Sequence, residues 1–496
     1  MSYILPLFIA VPLLAAFLIM PHARLHRRLP DIICLAVTAF LLAASISFYF
    51  TGAMGNLSLY YVAGFVPPAG INLVLDGLSG LMLLIISFGA FIISIYSISY
   101  MDKFTHREYF STLLMFMVAG MNGVVLTGDL LNLFIFLELA SIASAALVAF
   151  GTEAEEMEAA FKYLMMGSIA SMLLLFGIAI VYAQTGTLNM ADASRLLYPA
   201  VSHVKMFIIM LFLAGFCTKA AVAPFHAWLP DAHPSAPAPI SAMLSGILIK
   251  SLGIYTITRI MFNVMGMTYE VSLVLMWLGA FSIIVGSFLA LSQWDIKRLL
   301  ACSTISQVGY MVLAIGLASP MGVMGGLLHM LNHSIIKPLL FLNAGSVEYS
   351  TGTRDMKQLG GLGSRMPVTW ITSLFGSLSL SGIPPFNGFW SKLLIIIACV
   401  QSGKFFFAAV AVVGSIMTLT YMLKFQQNTF FGIIPEKLHN IRKTPLSMAL
   451  SMVTLALFCL LFGVLFQFVI AIFINPAVVT VASGLSYSRM ILGGMQ

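Results

Sequence analysis

Charge is what this sequence lacks. Only 8% of its 496 residues are Asp, Glu, Lys or Arg, against about 25% in an average soluble domain. That scarcity excludes a soluble globular protein. With 60% hydrophobic residues and a mean hydropathy of +1.02, the composition is that of an integral membrane protein. Acidic residues are scarcer than basic ones, 17 against 24, for a net charge of +7. The basic residues are scattered between apolar segments and form no patch, so nucleic acid is excluded as a partner. Cysteine is rare and dispersed: Cys34, Cys217, Cys302, Cys399 and Cys459 each lie in or beside an apolar run, with neither disulfide nor metal-ligand spacing. A Gly-rich dinucleotide loop and a haem motif are also lacking. No cofactor and no metal are expected.

What is present is apolar length. A helix needs about 20 mostly apolar residues to cross the hydrocarbon core. By that rule the chain is expected to be an all-α membrane protein, one membrane domain over 1–496, with about 14 spans. They lie at roughly 2–20, 31–50, 76–100, 108–126, 129–150, 160–183, 203–228, 239–262, 271–292, 296–316, 321–345, 368–400, 405–426 and 447–474. The first span has no basic residue ahead of it, and Arg24, Arg27 and Arg28 follow. It is read as a retained helix with its N-terminus outside, the reverse of a signal peptide.

The positive-inside rule extends that orientation. Loops after odd-numbered spans carry Arg24, Arg27, Arg28, Lys103, Arg107, Lys162, Lys297, Arg298, Arg354, Lys357, Arg365, Lys437, Arg442 and Lys443. The opposite side carries Arg195, Lys205, Arg259, Lys404 and Arg489. Fourteen against five places both termini outside. Five lysines belong to no loop: Lys219, Lys250, Lys337, Lys392 and Lys424. Among carboxylates, Glu138 alone sits well inside a span. A charge at a helix centre costs about 2.5–3.5 kcal/mol on insertion scales, so these positions call for a function. Lys424, near a span end, is expected to snorkel to the interface.

Two spans are interrupted. The seventh contains Pro224 and Pro230; the twelfth contains Gly382, Pro384, Pro385 and Gly388. Proline removes a helix hydrogen bond, and freed backbone at membrane depth survives only inside protein or beside a wet cavity. Lys219 precedes the first break and Lys392 follows the second. With spans 4–8 (residues 108–262) and 9–13 (residues 271–426) as two five-helix units, both broken helices are fourth in their unit. The opposite order of lysine and break is that of inverted repeats.

The eleventh span carries His329, His333 and Lys337 at i, i+4 and i+8, along one helix face over about 12 Å of depth. Such a column suits a proton relay through water. Zinc is the competing reading of the two histidines, but no third ligand is evident. A plain role in bonding neighbouring helices is the other. His226 and His233, at the inner end of span 7, either pass protons between cytoplasm and core or shape the loop. Asp231 is expected to pair locally, and Glu153, Glu155, Glu156 and Glu158 to start a solvated helix.

The stretches ELASIASAALVAF, EAAFKYLMMGSIAS, KAAVAPFHAWLPDAHPSAPAPISAMLSGILIK, WDIKRLLACSTISQVGYM, HMLNHSIIKPLLF and SGIPPFNGFWSK carry a resemblance over roughly residues 70–430. They resemble the antiporter-like, proton-conducting subunits shared by respiratory complex I, multi-subunit sodium/proton antiporters and membrane-bound hydrogenases. The resemblance implies that Glu138 and Lys219 form the pair of the first half. It makes Lys250 the link to the central axis, His329, His333 and Lys337 the polar column, and Lys392 the outer end of the path. Length, Lys392 and the sequence around spans 7 and 8 look most like the D-type component of the antiporters or the closely similar hydrogenase component. With about 20 residues after span 14, the chain is not expected to correspond to the most distal complex I subunit, which carries a long lateral helix.

The resemblance further implies partners: a second antiporter-like subunit and small membrane subunits. Protons are the cargo, with sodium left open, in a bacterial or archaeal cytoplasmic membrane. Any electron transfer belongs to partner subunits. Burial disfavours a charged lysine and a nearby carboxylate favours it, so a lysine between the two can gain or lose a proton. A redox-driven pump is the alternative to antiport, and a scaffold whose buried charges only fix assembly is the third reading.

Overall fold

The computed structural model describes residues 2–23, 26–51, 57–197, 203–439 and 441–493. Arg24, counted above, lies outside them. The helices are α1 Leu7–His22, α2 Leu29–Phe50, α3 Gly77–Tyr100, α4 Arg107–Leu126, α5 Leu130–Val148, α6 Ala154–Thr185, α7 Met190–Leu197, α8 His203–Lys219 and α9 Leu229–Ser235. Then come α10 Ala238–Val264, α11 Tyr269–Ser292, α12 Ile296–Gly316, α13 Pro320–Thr351, α14 Pro367–Ser381, α15 Asn387–Gln401, α16 Phe405–Phe430, α17 Leu446–Val464, α18 Phe466–Ala482 and α19 Tyr487–Leu492.

Eleven of the described helices are long and apolar enough to cross a membrane, or twelve if the bent pair at the end counts as one span. Three of the fourteen expected spans fall outside that set for physical reasons. Spans 7 and 12 are each two short helices around a break, α8–α9 and α14–α15. Span 11, α13, is long enough, but His329, Asn332, His333, Lys337 and Asn343 make it polar. Span 14 ends at Val464, short of the expected 474; the chain turns there into α18, which bends by 89° into the last helix. Among the described residues one element is a sheet: Ser58–Tyr61 pairs antiparallel with Asn72–Leu75, a hairpin between α2 and α3.

Helix ends follow side-chain chemistry. Asp76 caps α3 in a capping box with Ser79, and Asp129, Thr268, Asp295 and Ser319 cap α5, α11, α12 and α13. The Glu153–Glu156 box starts α6, as the acidic run suggests. α6 and α13 are both 32 residues long and both end in Thr-Gly-Thr, with Gly186 and Gly352 left-handed. The caps Asp129 and Asp295 reach the segments after those helices, bridging to Asn189 and Asp355. All these pairs share one offset along the chain.

α10 is enclosed along its whole length and α12 at all but Arg298 of its first turn, while α1, α2 and α6 have most of their residues at least partly exposed. Apolar residues on every face of α10 and α12 fit that central place. α11 and α12 meet closely through small residues: a Cβ at Gly286 would lie 2.4 Å from the Ser306 amide nitrogen. α10 departs from regular α-helix, with π-helical turns at Leu244–Leu248, Lys250–Ile254 and Arg259–Val264.

Three basic residues assigned above to loops are instead buried and paired. Arg259 lies within α10 and donates to Asp76 at 2.8 Å, between the rings of Tyr255 and Tyr487. Arg107 bonds Asp31 at 2.8 Å and also Asp102. Lys297 meets Glu348 at 2.8 Å. Each sits where a carboxylate distant in sequence neutralises it, so burial is compatible with charge. Lys424 is half-buried and bonds the carbonyls of Leu291 and Gln293 at the end of α11, over the Trp294 ring.

Candidate functional site

In the first half, α5 and α6 bring Glu138 to the end of α8. Lys219 is the last residue of α8, and its Nζ stands 3.4 Å from a Glu138 carboxylate oxygen and donates to Ser141 Oγ at 2.8 Å. Ser171 of α6 donates to the same Glu138 oxygen. Lys219 is buried, while the Glu138 side chain keeps 28% of its surface open, on a flank with exposed Ile135 and Ile142. The pair lines a small pocket with Tyr163 and Gly167. Tyr163 bonds Ser144 and stacks on Trp228, whose indole N–H donates to the Thr218 carbonyl beside Lys219.

The break after Lys219 spans residues 220–228. Ala221 is left-handed, and the Ala223 amide, freed from the helix, donates to Ser282 of α11 at 2.9 Å. Pro230 does not break the helix; it occupies the first turn of α9, where its missing N–H costs nothing. Ala220 packs against Gly253 of α10, where a Cβ would come within 2.4 Å. This contact sets Lys250, one turn earlier on α10, next to the broken helix.

Lys250 and Lys337 are completely buried and have no carboxylate bonded to either among the described residues. Lys250 Nζ donates to the Ser245 carbonyl at 2.6 Å, which the π-turn leaves accessible. Lys337 Nζ donates to the Leu300 carbonyl at 2.7 Å and to Ser303. α10 and α13 touch where Gly246 meets Pro338. His333 lies within electrostatic reach of Lys250, Lys337, His329 and Lys392. Both of its ring nitrogens are buried without a hydrogen-bond partner among the described residues.

His329 bonds Ser391 at 3.0 Å, and its ring stands 6.1 Å from that of His333. Among the described residues, no three of His, Cys, Asp and Glu stand close enough to hold a metal ion.

The second break runs from Gly382 to Phe386. Gly382 ends α14 left-handed, and the chain then passes so close that a Cβ on Gly388 would fall 1.8 Å from the Ser379 carbonyl oxygen. Asn387 ties the break to α13, accepting from and donating to Asn332. Lys392, on α15, is 3% exposed, with its Nζ 4.9 Å from the centre of the Tyr310 ring and no hydrogen-bond partner among the described residues. The ring is fixed by its hydroxyl, which donates to the Ala411 carbonyl at 2.6 Å.

The structure thus gathers Glu138 with Lys219, Lys250 with Lys337 and His333, and His329 with Lys392 around Tyr310 and Ser391. His233 joins the middle group: fully buried and unpartnered at both nitrogens among the described residues, it faces Phe341 and lies within reach of Lys250 and Lys337. Asp231 pairs locally with Lys162 and Arg298. Ser141, Ser171, Ser303 and Tyr310 are contacts that sequence reading missed. Ser141 stands three residues after Glu138 on one helix face, a spacing that signals contact.

Residues 127–418 match the family described as “NADH:quinone oxidoreductase/Mrp antiporter, TM”, and residues 68–111 match “NADH-Ubiquinone oxidoreductase (complex I), chain 5 N-terminus”. The chain is 36% identical over 440 residues to the N-type subunit of the NADH-quinone oxidoreductase of Desulforudis audaxviator, covering 87% of this chain and 86% of the relative. It is 34% identical over 439 residues to the D-type subunit of the Na(+)/H(+) antiporter of Alkalihalophilus pseudofirmus, covering 87% and 88%. A chain in the structure of the Mrp complex from Dietzia sp. DQ12-45-1b superposes with a TM-score of 0.91 at 29% identity, covering 99% of both chains. The chain belongs to the NADH:quinone oxidoreductase/Mrp antiporter family of membrane subunits.

Proposed function

We propose that this chain is an ion-translocating subunit of a multi-subunit membrane complex, moving protons along Glu138, Lys219, Lys250, Lys337, His333, His329 and Lys392. The observation that carries the reading is the set of four buried lysines on that path, of which only Lys219 faces a carboxylate among the described residues; the fifth buried lysine, Lys297, lies off the path and is neutralised by Glu348. A scaffold has no reason to keep unpaired cations in its core, where each is costly. A path that hands one charge from group to group needs them.

In this reading, Glu138 holds Lys219 in its charged form. Protonating or displacing Glu138, at the partly open flank of the chain, removes that stabilisation and sends the proton inward to the Lys250–Lys337 group. Transfers between groups that do not touch require water or side-chain motion. Lys392, beside the second break, releases to the outer side. Fourteen spans, both termini outside, and inverted repeats over 108–262 and 271–426 complete the reading. The matching length, cap and Thr-Gly-Thr end of α6 and α13 support those repeats.

The partners are a second antiporter-like subunit and small membrane subunits, in a bacterial or archaeal cytoplasmic membrane. Relatives named for antiport and for quinone reduction match at similar identity, so a redox-driven pump is the second reading. The test is transport by the purified complex in proteoliposomes. Lys250→Ala should abolish proton movement while assembly persists; normal transport would overturn the path. Dependence of that movement on a sodium gradient alone distinguishes antiport from a redox pump.

A further inference from the structure

A cavity of about 520 Å³ lies between α2, α3, α13, α17 and α18, away from the lysine row. Its size falls in the range of ligand pockets, about 300–1,000 Å³. Leu42, Ile46 and Tyr49 of α2, Phe88 of α3, Leu331 of α13 and Phe462 of α17 form its walls. The turn at Leu465 and the π-turn Ile470–Ile474 carry Phe473 across its end, edge-on to Tyr49 at 4.9 Å. Two polar side chains belong to the lining. Ser334 is satisfied, donating to the Met330 carbonyl. The Tyr49 hydroxyl is buried and has no hydrogen-bond partner among the described residues. A buried tyrosine hydroxyl ordinarily finds one, so the cavity is built for an occupant that is hydrocarbon over most of its length and carries one hydrogen-bond acceptor.

The position of Tyr49 selects the occupant. It is the penultimate residue of α2, beside Phe50, which is 87% exposed. An aromatic pair at the end of a spanning helix marks the headgroup level. From Phe50 to Leu42 the wall runs about 12 Å along the helix towards the core. We infer that the cavity binds one acyl chain of a membrane phospholipid, with the Tyr49 hydroxyl donating to the ester carbonyl of that chain. The acceptor then lies at the level where ester groups sit, and the hydrocarbon extends inward to Leu331 and Ile335. These two residues line the face of α13 opposite His329, His333 and Lys337. Hydrocarbon rather than water therefore backs the polar row; that consequence rests on the transport reading, while the occupancy does not.

The experiment uses the intact complex in native membranes containing phosphatidylethanolamine with a diazirine on one acyl chain, with labelled peptides mapped by mass spectrometry after illumination. The binding site predicts stronger labelling within Leu42–Phe50 and Phe458–Phe473 than at Phe281, an exposed residue on another face. Ile46→Trp, which fills the cavity, should cut that labelling at least about tenfold and leave Phe281 unchanged. Tyr49→Phe, which keeps the ring, should cut it about fivefold, the effect of one neutral hydrogen bond. Labelling no stronger than at Phe281, or unchanged in Ile46→Trp, overturns the site. Unchanged labelling in Tyr49→Phe overturns the assigned role of the hydroxyl. Labelling is read without transport, so this site and the proton path fail independently.

Discussion

Lys219 is held by two groups at once: Ser141 at 2.8 Å and the Glu138 carboxylate at 3.4 Å. The shorter bond is to the neutral hydroxyl. The ion pair is therefore loose enough to break without leaving the ammonium unbonded. Glu138 is similarly kept by Ser171 when Lys219 moves away.

Ser141 should consequently matter to rate more than to assembly. Ser141→Ala is expected to slow proton transfer roughly tenfold, the loss of a hydrogen bond to a charged group. Glu138→Ala and Lys219→Ala should each abolish transport with the complex still assembled. Proteoliposome transport beside size-exclusion chromatography checks all three, and full activity in either charge variant would refute the coupling.

Much of this was legible in the sequence because membrane helices punish charge. Lys219, Lys250, Lys337 and Lys392 stood out in apolar runs, and the glycines and prolines of span 12 announced its break. Arg259, Arg107 and Lys297 were misplaced because their partners, Asp76, Asp31 and Glu348, lie far along the chain or in another helix. The π-turns of α10 left no trace either. A helix buried on every side has no polar face whose drift would betray a change of period.

The Arg259–Asp76 pair should be a stability element. It joins α10 to the start of α3, and Tyr487 covers it with the C-terminal helix. Arg259→Gln is expected to cost about 3–5 kcal/mol, because Asp76 is left buried without its cation. Adding Asp76→Asn should recover part of the loss. Thermal unfolding of the solubilised complex reads both; equal stability of the single variant and the parent would contradict the buried pair.

Gly388 should tolerate no side chain. A Cβ there would meet the Ser379 carbonyl oxygen at 1.8 Å, and backbone on both sides of the break must shift to make room. Gly388→Ala is expected to lower stability by about 1–3 kcal/mol, as overpacking does, and to impair transport through Lys392 four residues on. Gly493→Ala, in open space and with an ordinary negative φ, tests whether glycine replacement alone has this effect on transport.

In the polar row of α13, His333→Ala should slow transport; its ring nitrogens bond nothing among the described residues, so the stability it loses is that of the cavity left by the buried ring. Lys337→Ala should slow it further. Met330→Leu, a volume-conserving change at a buried site, should do neither. Comparable transport losses in all three would make packing the explanation.

Lys392 gives the sharpest test of direction. Its Nζ has no hydrogen-bond partner among the described residues and rests 4.9 Å from the centre of the Tyr310 ring, whose hydroxyl is tied back to Ala411. The ring face therefore serves as its support, and a cation over an aromatic face gains about 2 kcal/mol or more when desolvated. Lys392→Ala should block net transport while leaving the Glu138–Lys219 contact intact, because Lys219 draws its bonds from α5 alone. Tyr310→Leu removes the ring and should slow release by roughly tenfold or more. Tyr310→Phe keeps the ring but frees the Ala411 carbonyl, and should cost less. Single-turnover proton uptake, followed separately on each side of oriented proteoliposomes, distinguishes the sites. With Lys392→Ala, uptake at the Glu138 end should persist and release should vanish; loss of both would place Lys392 in the structure of the first half rather than at the end of the path.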